Sequence, residues 1–403
     1  MRRKKYGRKP SGYRHRRKRS VKGEIAKKIR RIKQKIKRKI NKWWHEHRVR
    51  FLVISIGIMA VLILAIAHGC TRSAQRISED GFTHDSRFSN SLILDGIDVS
   101  YAQGSVDWKA VKKAGVDFVF IRAGFTAGGT GKKYTDESFA NNIQEAERAG
   151  LMTGVYYFSQ ATTTEEARKE ADYLVDLAED YQVDLPLVMD YELLEGGRLS
   201  AAYSKGMTAE QATSNALAFC SEVEKKGYDS MVYGNSSFLQ NNLDPSVIGS
   251  NTHVWMAHYA SATNYPYLYS VWQASDSAWV SGINHTVDRD FMYVDPDSGY
   301  RSYGDGKNRK SVSKCTVELG DRSSVYMGFN VEPGVKVYDG RKKLKEGKDY
   351  YLSYVKNKEP GTGYVVISGK GDYKDMIFSS FRIKGIYEKF LFIRRQYSGN
   401  CCS

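Results

Sequence analysis

The stretch LPLVMDYE, residues 185–192, ends an apolar run with two carboxylates, Asp190 and Glu192. Because side chains alternate along a strand, both carboxylates point to the same side. Two acids held so close in a partly apolar setting cannot both ionise easily, so the pKa of one is raised. Cleavage of a glycosidic bond requires such a protonated acid, together with a second carboxylate near the reaction centre.

Two further acids occupy comparable positions: Asp98 ends an apolar run in DGIDVS, and Asp288 lies in VDRD. A single aspartate at a strand end is more often a cap or a loop hydrogen-bonder. In a parallel β/α barrel, however, the C-terminal strand ends carry the active site. We therefore predict one catalytic cluster, which comprises Asp98, Asp190, Glu192 and Asp288.

Aromatic residues fall at the same level of the predicted strands, where rings could stack on sugar faces. We expect substrate contacts from Tyr157, Tyr191, Trp255, Tyr259 and Trp272. The alternative for each ring is core packing, and it is strongest for the VYYF run at 155–158, where alternate residues must face the core.

Strand-like and helix-like runs alternate around these acids. Strands are predicted at 92–100, 117–124, 150–159, 185–192 and 229–235, and helices at 107–114, 136–149, 164–181 and 208–226. This alternation predicts parallel βαβ units. Three later strands, 253–259, 270–275 and 286–292, are separated by only about ten residues, which favours hairpin-like connections. The predicted fold class is α/β, an irregular TIM-like barrel over 92–298 with five β/α units and then three strands.

The C-terminal part has a different pattern. Residues 299–311 are polar and contain glycine, as in a linker, and in 312–385 short β-runs alternate with turn signals, which predicts a small all-β sandwich. No acid, His or Cys cluster there offers chemistry. Residues 386–403 fit neither pattern and are unassigned.

Residues 92–295 resemble the family 25 glycoside hydrolases, the N-acetylmuramidases (lysozymes) of bacteria and phages. Seven segments occur in the family's order: DGIDVSYAQGSVDW, FVFIRAG, AGLMTGVYYFS, LPLVMDYE, VWMAHY, VWQAS and VSGINHTVDRDFM. The resemblance implies cleavage of the β-1,4 bond between N-acetylmuramic acid and N-acetylglucosamine in peptidoglycan, without metal or cofactor.

The resemblance also implies roles for the acids. Glu192 would be the general acid, Asp98 and Asp190 would assist the reaction centre, for instance by orienting the substrate's N-acetyl group, and Asp288 would complete the cluster. The sequence departs from the family at VDRDF, where Asn usually follows VDL, so Arg289 and Asp290 alter the local charge balance. The C-terminal module is similar to small β-sandwich repeats in surface proteins of Gram-positive bacteria, which implies a positioning role first and binding second.

The net charge of +17 belongs to one tail, since residues 1–50 hold 24 Lys and Arg and only 2 Glu. The remainder is slightly acidic, which argues against a nucleic-acid binder with a basic face on a folded module. The tail precedes an uncharged run at 51–68, FLVISIGIMAVLILAIAH, which is long enough to cross a bilayer. Because the basic region is far longer than that of a signal peptide, we predict an uncleaved transmembrane helix. The alternative is a lipoprotein through Cys70, although AHGC is a poor lipidation sequence.

The Lys/Arg excess predicts a cytoplasmic N-terminus and a catalytic domain outside the cell membrane, facing the wall. Residues 69–91 are polar and are predicted to be a linker. Within the tail, Ile25, Ile29, Ile32, Ile36 and Ile40 form one stripe on a basic helix, which is suited to an anionic membrane surface. The alternative is a solvated, disordered tail.

The five cysteines are scattered and lack metal-ligand spacing, so neither a disulfide framework nor a zinc site is indicated, and Cys220 is predicted to be a core residue. Three functions compete. The first is a membrane-tethered peptidoglycan hydrolase for local wall remodelling, with an envelope-spanning secretion or conjugation machinery as a conjectured partner. The second is a catalytically idle wall-binding scaffold. The third is a hydrolase of another N-acetylated glycan such as chitin.

Overall fold

A computed structural model describes residues 27–39, 42, 81–299 and 309–385. The chain divides into two compact units, Met1–Ser73 and Ala74–Ser403. In the first unit a helix, α1, covers 27–39, and its side chains Ile29, Ile32 and Ile36 are about half exposed. The helix agrees with the predicted amphipathic stripe; Ile25 and Ile40 lie outside the described residues.

Among the residues that the structure describes, no helix is both long and apolar enough to cross a bilayer. The predicted span 51–68 and the unassigned segment 386–403 lie outside the described residues.

Within 81–299, eight strands close into a barrel, and a ninth, β3, is added as a hairpin on β2. The strands are β1 Leu92–Val99, β2 Phe118–Thr126, β3 Lys133–Thr135, β4 Met152–Ser159, β5 Leu187–Tyr191, β6 Ser230–Asn235, β7 His253–Ala257, β8 Val271–Ala278 and β9 Val287–Val294. Their order is β1-β9-β8-β7-β6-β5-β4-β2-β3, and the parallel pair β1–β2 closes the ring. Strand β9 is antiparallel to both β8 and β1.

Helices cover the outside of this barrel. They are α2 Trp108–Ala114, α3 Phe139–Arg148, α4 Thr164–Ala178, α5 Arg198–Ser204, α6 Ala209–Lys225, α7 Ser236–Asn241 and α8 Pro245–Asn251. Two of these helices begin within one residue of their predicted starts at 164 and 208: the Thr163 side chain caps α4, and Thr208 forms a capping box with Gln211 at α6. Such caps satisfy backbone N–H groups that the helix itself leaves unpaired.

Two predictions about the barrel's organisation are wrong. Strands β7 and β8 are parallel, with Trp255 paired to Val271, so the connection between them is not a hairpin. The segment 258–270 makes this crossover without a helix. The predicted linker 69–91 also fails over 81–91, because Phe82 and Phe88 pack against the outer core of the barrel.

The barrel has two apolar layers. The outer layer lies between strands and helices and includes the predicted core residue Cys220. The inner layer fills the barrel with alternate residues of the strands, among them Leu94, Phe118 and Phe120. Gly96 makes room for this filling, since a Cβ at that position would lie 2.1 Å from the Phe118 ring.

Residues 309–385 form an all-β module, as predicted. Its strands are β10 Lys310–Ser311, β11 Thr316–Leu319, β12 Ser323–Val325, β13 Val335–Asp339, β14 Lys342–Lys343, β15 Tyr350–Val355, β16 Gly361–Gly369, β17 Tyr373–Lys374 and β18 Met376–Lys384. The larger sheets have the orders β11-β13-β14 and β12-β18-β16-β15. Val337 of the first and Val365, Ile367 and Phe381 of the second share one core. The last residues of the predicted linker 299–311 belong to the module, because Lys310 and Ser311 form β10, which pairs with β17.

The module packs on the barrel's N-terminal pole, the end formed by the starts of the parallel strands. There Val355, Val366 and Met376 join the inner apolar layer that contains Leu94 and Phe118. The opposite end, which we call the mouth, is left uncovered by these contacts.

Candidate active site

The four predicted acids line one cavity of about 250 Å³ at the mouth. Asp98 is near the end of β1, and Asp190 and Glu192 are at the end of β5. Asp288 is near the start of β9, which reaches the same end because β9 runs antiparallel to β1, with Asp98 paired to Asp288. The topology therefore brings together carboxylates that are up to 190 positions apart in the chain.

Strand alternation in β5 explains why Asp190 and Glu192 share the cavity. Val188 lies in the inner apolar layer, whereas Met189 and Tyr191 lie in the outer one. Asp190 follows the phase of Val188 and is 6% exposed. Glu192 continues the same phase one step nearer the mouth, where it is partly exposed.

Burial dominates the electrostatics of the cluster. It raises the pKa of Asp190, helped by the charge of Glu192 and opposed by Arg122. It also raises the pKa of Glu192, helped by Asp288. Burial, with the nearby Asp276, raises the pKa of Asp288 to about 6. A raised pKa favours the protonated form of a carboxyl, and glycosidic cleavage uses one protonated acid together with one carboxylate.

Arg122 of β2 lines the same cavity and was not predicted from the sequence. Its Nε donates to Asp136 at 2.8 Å, and its guanidinium lies over the rings of Tyr101 and Phe125. Its Nη2 is buried and has no hydrogen-bond partner within the described part of the chain. Strand alternation could have revealed it, because Arg122 lies two residues after Phe120 and four after Phe118 and so faces the barrel interior as they do.

Gln273 of β8 connects the acids to the aromatic wall and was also missed. Its Nε2 donates to Asp98 Oδ2 at 2.7 Å, while its Oε1 accepts from Tyr233 at 2.8 Å and from Tyr259 at 3.1 Å. This bridge fixes one oxygen of Asp98. Tyr156 and Phe158 of the VYYF run, together with Tyr233, complete the lining.

The structure places two of the five predicted aromatic contacts at the cavity. Trp255 lies beneath the acids and stacks on Phe120 with ring centroids 4.5 Å apart. Tyr259 stands at the rim and is 52% exposed, so its ring is available to a sugar face.

The other three rings, Tyr157, Tyr191 and Trp272, are corrections to the predicted contact set. All are 0% exposed and pack in the outer apolar layer, on the opposite side of their strands from the cavity. Their polar groups bond there too: Tyr191 donates to the Ala161 carbonyl and Trp272 to that of His258. Strand alternation sends each of them away from the mouth.

Within the described ranges, no group of His, Cys, Asp and Glu side chains is arranged to hold a metal ion.

Comparison with known proteins places the similarity in this barrel. Residues 97–283, less than half of the chain, match the model of "Glycosyl hydrolases family 25". The autolytic lysozyme of Clostridium acetobutylicum is 32% identical over 198 residues, which cover 49% of this chain and 55% of that protein. Lysozyme M1 of Streptomyces globisporus is 29% identical over 205 residues, with 49% and 66% covered. The chain thus spans between about half and two thirds of these relatives.

Solved structures show the same extent of similarity. The modular autolysin LytC of Streptococcus pneumoniae is 27% identical, covers 50% of this chain and 47% of its own, and has a TM-score of 0.43. The bacterial lysozyme of Streptomyces coelicolor is 25% identical, with 49% and 91% covered and a TM-score of 0.41.

Proposed function

We propose, from the family 25 match of residues 97–283, that this chain is a peptidoglycan hydrolase of the lysozyme (N-acetylmuramidase) type. It would cleave the β-1,4 bond between N-acetylmuramic acid and N-acetylglucosamine. The observation that carries the proposal is the convergence of Asp98, Asp190, Glu192 and Asp288 on one cavity beside the half-exposed ring of Tyr259.

Glu192 is our general acid because it is the more exposed member of the β5 pair and its pKa is raised. It donates its proton to the glycosidic oxygen as the bond from that oxygen to the anomeric carbon breaks. Asp288 supports this step, since its negative charge raises the pKa of Glu192 and so favours the protonated form.

Asp190 is our candidate for orienting the substrate's N-acetyl group. Its Oδ1 is buried and has no hydrogen-bond partner among the described residues, so it is available to accept from an amide N–H. Asp98, with one oxygen fixed by Gln273, stabilises the positive charge that develops at the anomeric carbon. The oxygen of a water then bonds to the anomeric carbon, and the proton that this water loses passes to a carboxylate of the cluster.

The test is release of reducing ends from purified peptidoglycan by the full-length chain. Replacing an essential acid should lower the rate by about 10²-fold or more, so we expect that loss for Glu192→Gln. The matched control is Glu195→Gln, which changes an exposed glutamate of the same loop and should leave the rate unchanged.

Three results would redirect the proposal. Equal rates for Glu192→Gln and the unchanged chain would contradict the assignment of the acid. Inactivity of the wild-type protein on several cell walls would favour the alternative of a catalytically idle wall-binding scaffold. Cleavage of chitin oligosaccharides but not of peptidoglycan would favour the other N-acetylated glycan.

We also propose that the enzyme is tethered to the outer face of the cytoplasmic membrane through residues 51–68, with α1 on the inner leaflet. Support comes from the exposed stripe of Ile29, Ile32 and Ile36 on a helix whose other positions are mostly Lys and Arg. Apolar burial together with attraction to anionic lipid favours such a helix at a membrane surface. Local opening of the wall for an envelope-spanning secretion or conjugation machinery is part of this proposal.

Protease added to wall-less cells tests the topology. The barrel should be digested while the first fifty residues remain intact, as detected by a tag at each end. Protection of the barrel would show that the orientation is reversed.

A further inference from the structure

A fifth carboxyl, that of Asp290, lies beneath the cluster. Asp290 follows Asp288 by two positions on β9, so it also faces the barrel interior, and it is 0% exposed. On the flanking strands its backbone pairs with Gly96 and Gln273. Its Oδ1 accepts a hydrogen bond from Trp255 Nε1 at 2.9 Å.

The other oxygen of Asp290, Oδ2, is buried, and no N–H or hydroxyl of the described residues donates to it. The Asp98 carboxyl is within hydrogen-bonding reach of Asp290. Two carboxyl groups can share a hydrogen bond only if one of them carries a proton.

The surroundings decide which of the two is protonated. Burial raises the pKa of both carboxyls. Asp98 accepts from the Gln273 amide at 2.7 Å and lines the cavity, whereas Asp290 does not line it, so the charged form of Asp98 is the better stabilised of the two. Asp290 receives only the indole N–H of Trp255. Burial without a cation disfavours a charged carboxylate.

No nearby cation reaches Asp290 in the described part of the chain. Its neighbour Arg289 points to the other face of β9, where Nη2 binds Asp95 at 2.8 Å. The titratable and charged groups that face the barrel interior around Asp290 are Asp98 on β1, Arg122 on β2, Tyr156 on β4, Asp190 and Glu192 at the end of β5, Tyr233 on β6, Tyr259 after β7 and Asp288 on β9. Arg122 offsets the charge of Asp190.

We propose that Asp290 is a positioning residue that stays neutral and donates a hydrogen bond to Asp98, holding Asp98 as an oriented carboxylate at the cavity. Each oxygen of Asp98 then accepts one hydrogen bond, one from Gln273 and the other from Asp290. Its own orientation is set by Trp255, which occupies Oδ1 and leaves the proton on Oδ2. The catalytic consequence rests on the proposed hydrolase function, whereas the protonation state does not.

Two variants separate a neutral from an ionised Asp290. Asp290→Asn keeps a donor toward Asp98 and an acceptor for Trp255, so the acidic limb of the kcat/KM profile on peptidoglycan should not move. Asp290→Leu removes the donor, and loss of a hydrogen bond to the charged form raises a carboxyl pKa. Its acidic limb should therefore move to higher pH, and its kcat should fall by roughly 10–10²-fold through misplacement of Asp98.

An ionised Asp290 would give the opposite shift. Both substitutions would then remove a negative charge, and the limb would move to lower pH. That result, or equal large losses for Asp290→Asn and Asp290→Leu in a folded protein, would overturn the proposal. The matched control is Glu170→Gln, which changes a buried carboxyl held by Ser159 and Thr126 outside the cavity and should not move the limb.

A spectroscopic measurement separates this inference from the hydrolase assignment. The infrared difference between the unchanged chain and Asp290→Asn at neutral pH should show loss of a neutral carboxylic acid carbonyl band. Loss of a carboxylate band instead would refute the neutral state. This readout needs no activity and no Asp290→Leu variant, so it stands even if the chain cleaves no wall or Asp290→Leu does not fold.

Discussion

Lys356 is the residue whose replacement should most directly weaken the attachment of the module to the barrel. It follows β15, and its Nζ lies 3.0 Å from both Asp95 Oδ2 and Asp117 Oδ2 at the N-terminal pole. Its backbone N–H also donates to Asp117 Oδ1 at 3.1 Å. The two carboxylates are nearly buried. Lys356→Met keeps an apolar side chain of similar length but removes the positive charge that balances their negative charges.

The loss should be smaller than for a fully buried pair. Removing one partner of a buried ion pair costs about 3–5 kcal/mol. Here the Lys356 side chain is 30% exposed, and Asp95 keeps a second cation in Arg289 at 2.8 Å. We therefore expect about 2–3 kcal/mol of lost unfolding free energy, or roughly 4–8 °C in Tm.

The pH dependence has a definite sign. Burial alone would lower the pKa of Lys356, but Asp117 and Asp95 outweigh it and leave the pKa above its ordinary value. A raised lysine pKa stabilises the fold fully below the unfolded value of about 10.4 and loses that contribution as pH rises through the folded value. The difference between the unchanged chain and Lys356→Met should thus be constant across neutral pH and shrink only in strong alkali.

Urea denaturation of the full-length chain measures the effect. Lys348→Met is the control, because it changes an exposed lysine of the same module and should stay within about 0.5 kcal/mol. In a double-mutant cycle, Asp117→Asn should cost less in the Lys356→Met background than alone, by about 1 kcal/mol or more. If Lys356→Met equals Lys348→Met, or the cycle is additive, the ion pairs do not hold the module.

Two further predictions concern the mouth. Tyr259→Ala should raise KM about three- to tenfold with little change in kcat, because a stacking ring contributes about 0.5–1.5 kcal/mol. The control is Trp279→Ala, which changes an exposed ring that does not line the cavity. Equal effects of the two substitutions on KM would contradict a sugar-binding role for Tyr259. Asp288→Asn should stabilise the fold by about 1–2 kcal/mol above pH 6, an advantage that fades toward pH 4, because the carboxyl pKa is raised to about 6 in the folded state. Urea denaturation at both pH values checks it, and a pH-independent difference would refute it.

Two local rules account for three of the four acids. The fourth, Asp288, lies near the start of the antiparallel strand β9, so its place at the mouth depends on the pairing of β9 with β1. Strand alternation puts Asp190 and Glu192 on one side, and the barrel rule gathers acids at strand ends. The same alternation, applied to Tyr157, Tyr191 and Trp272, would have sent these rings outward. Their prediction as substrate contacts was wrong because it considered only how far along each strand the ring lies and not which side of the strand it faces.

Other features depend on partners too distant in the chain for a local pattern to reveal. His84 bonds the hydroxyl of Tyr293, 209 positions away, and Phe82 packs on Trp272, so the segment 81–91 has no period of its own. Lys356 meets Asp95 across 261 positions. A lysine after a strand usually indicates a solvated turn, and only the packed structure shows it between two carboxylates.

The module's position links the two ends of the barrel through its interior. A single apolar cluster runs from Val355 and Met376 of the module, past Phe120, to Trp255 beneath the acids. The raised pKa values at the cavity arise mainly from burial, and burial depends on keeping water out of that interior. The module thus covers the apolar interior at the end opposite the acids. Its attachment there also leaves the mouth open to a polymer, which a module covering the strand ends would obstruct.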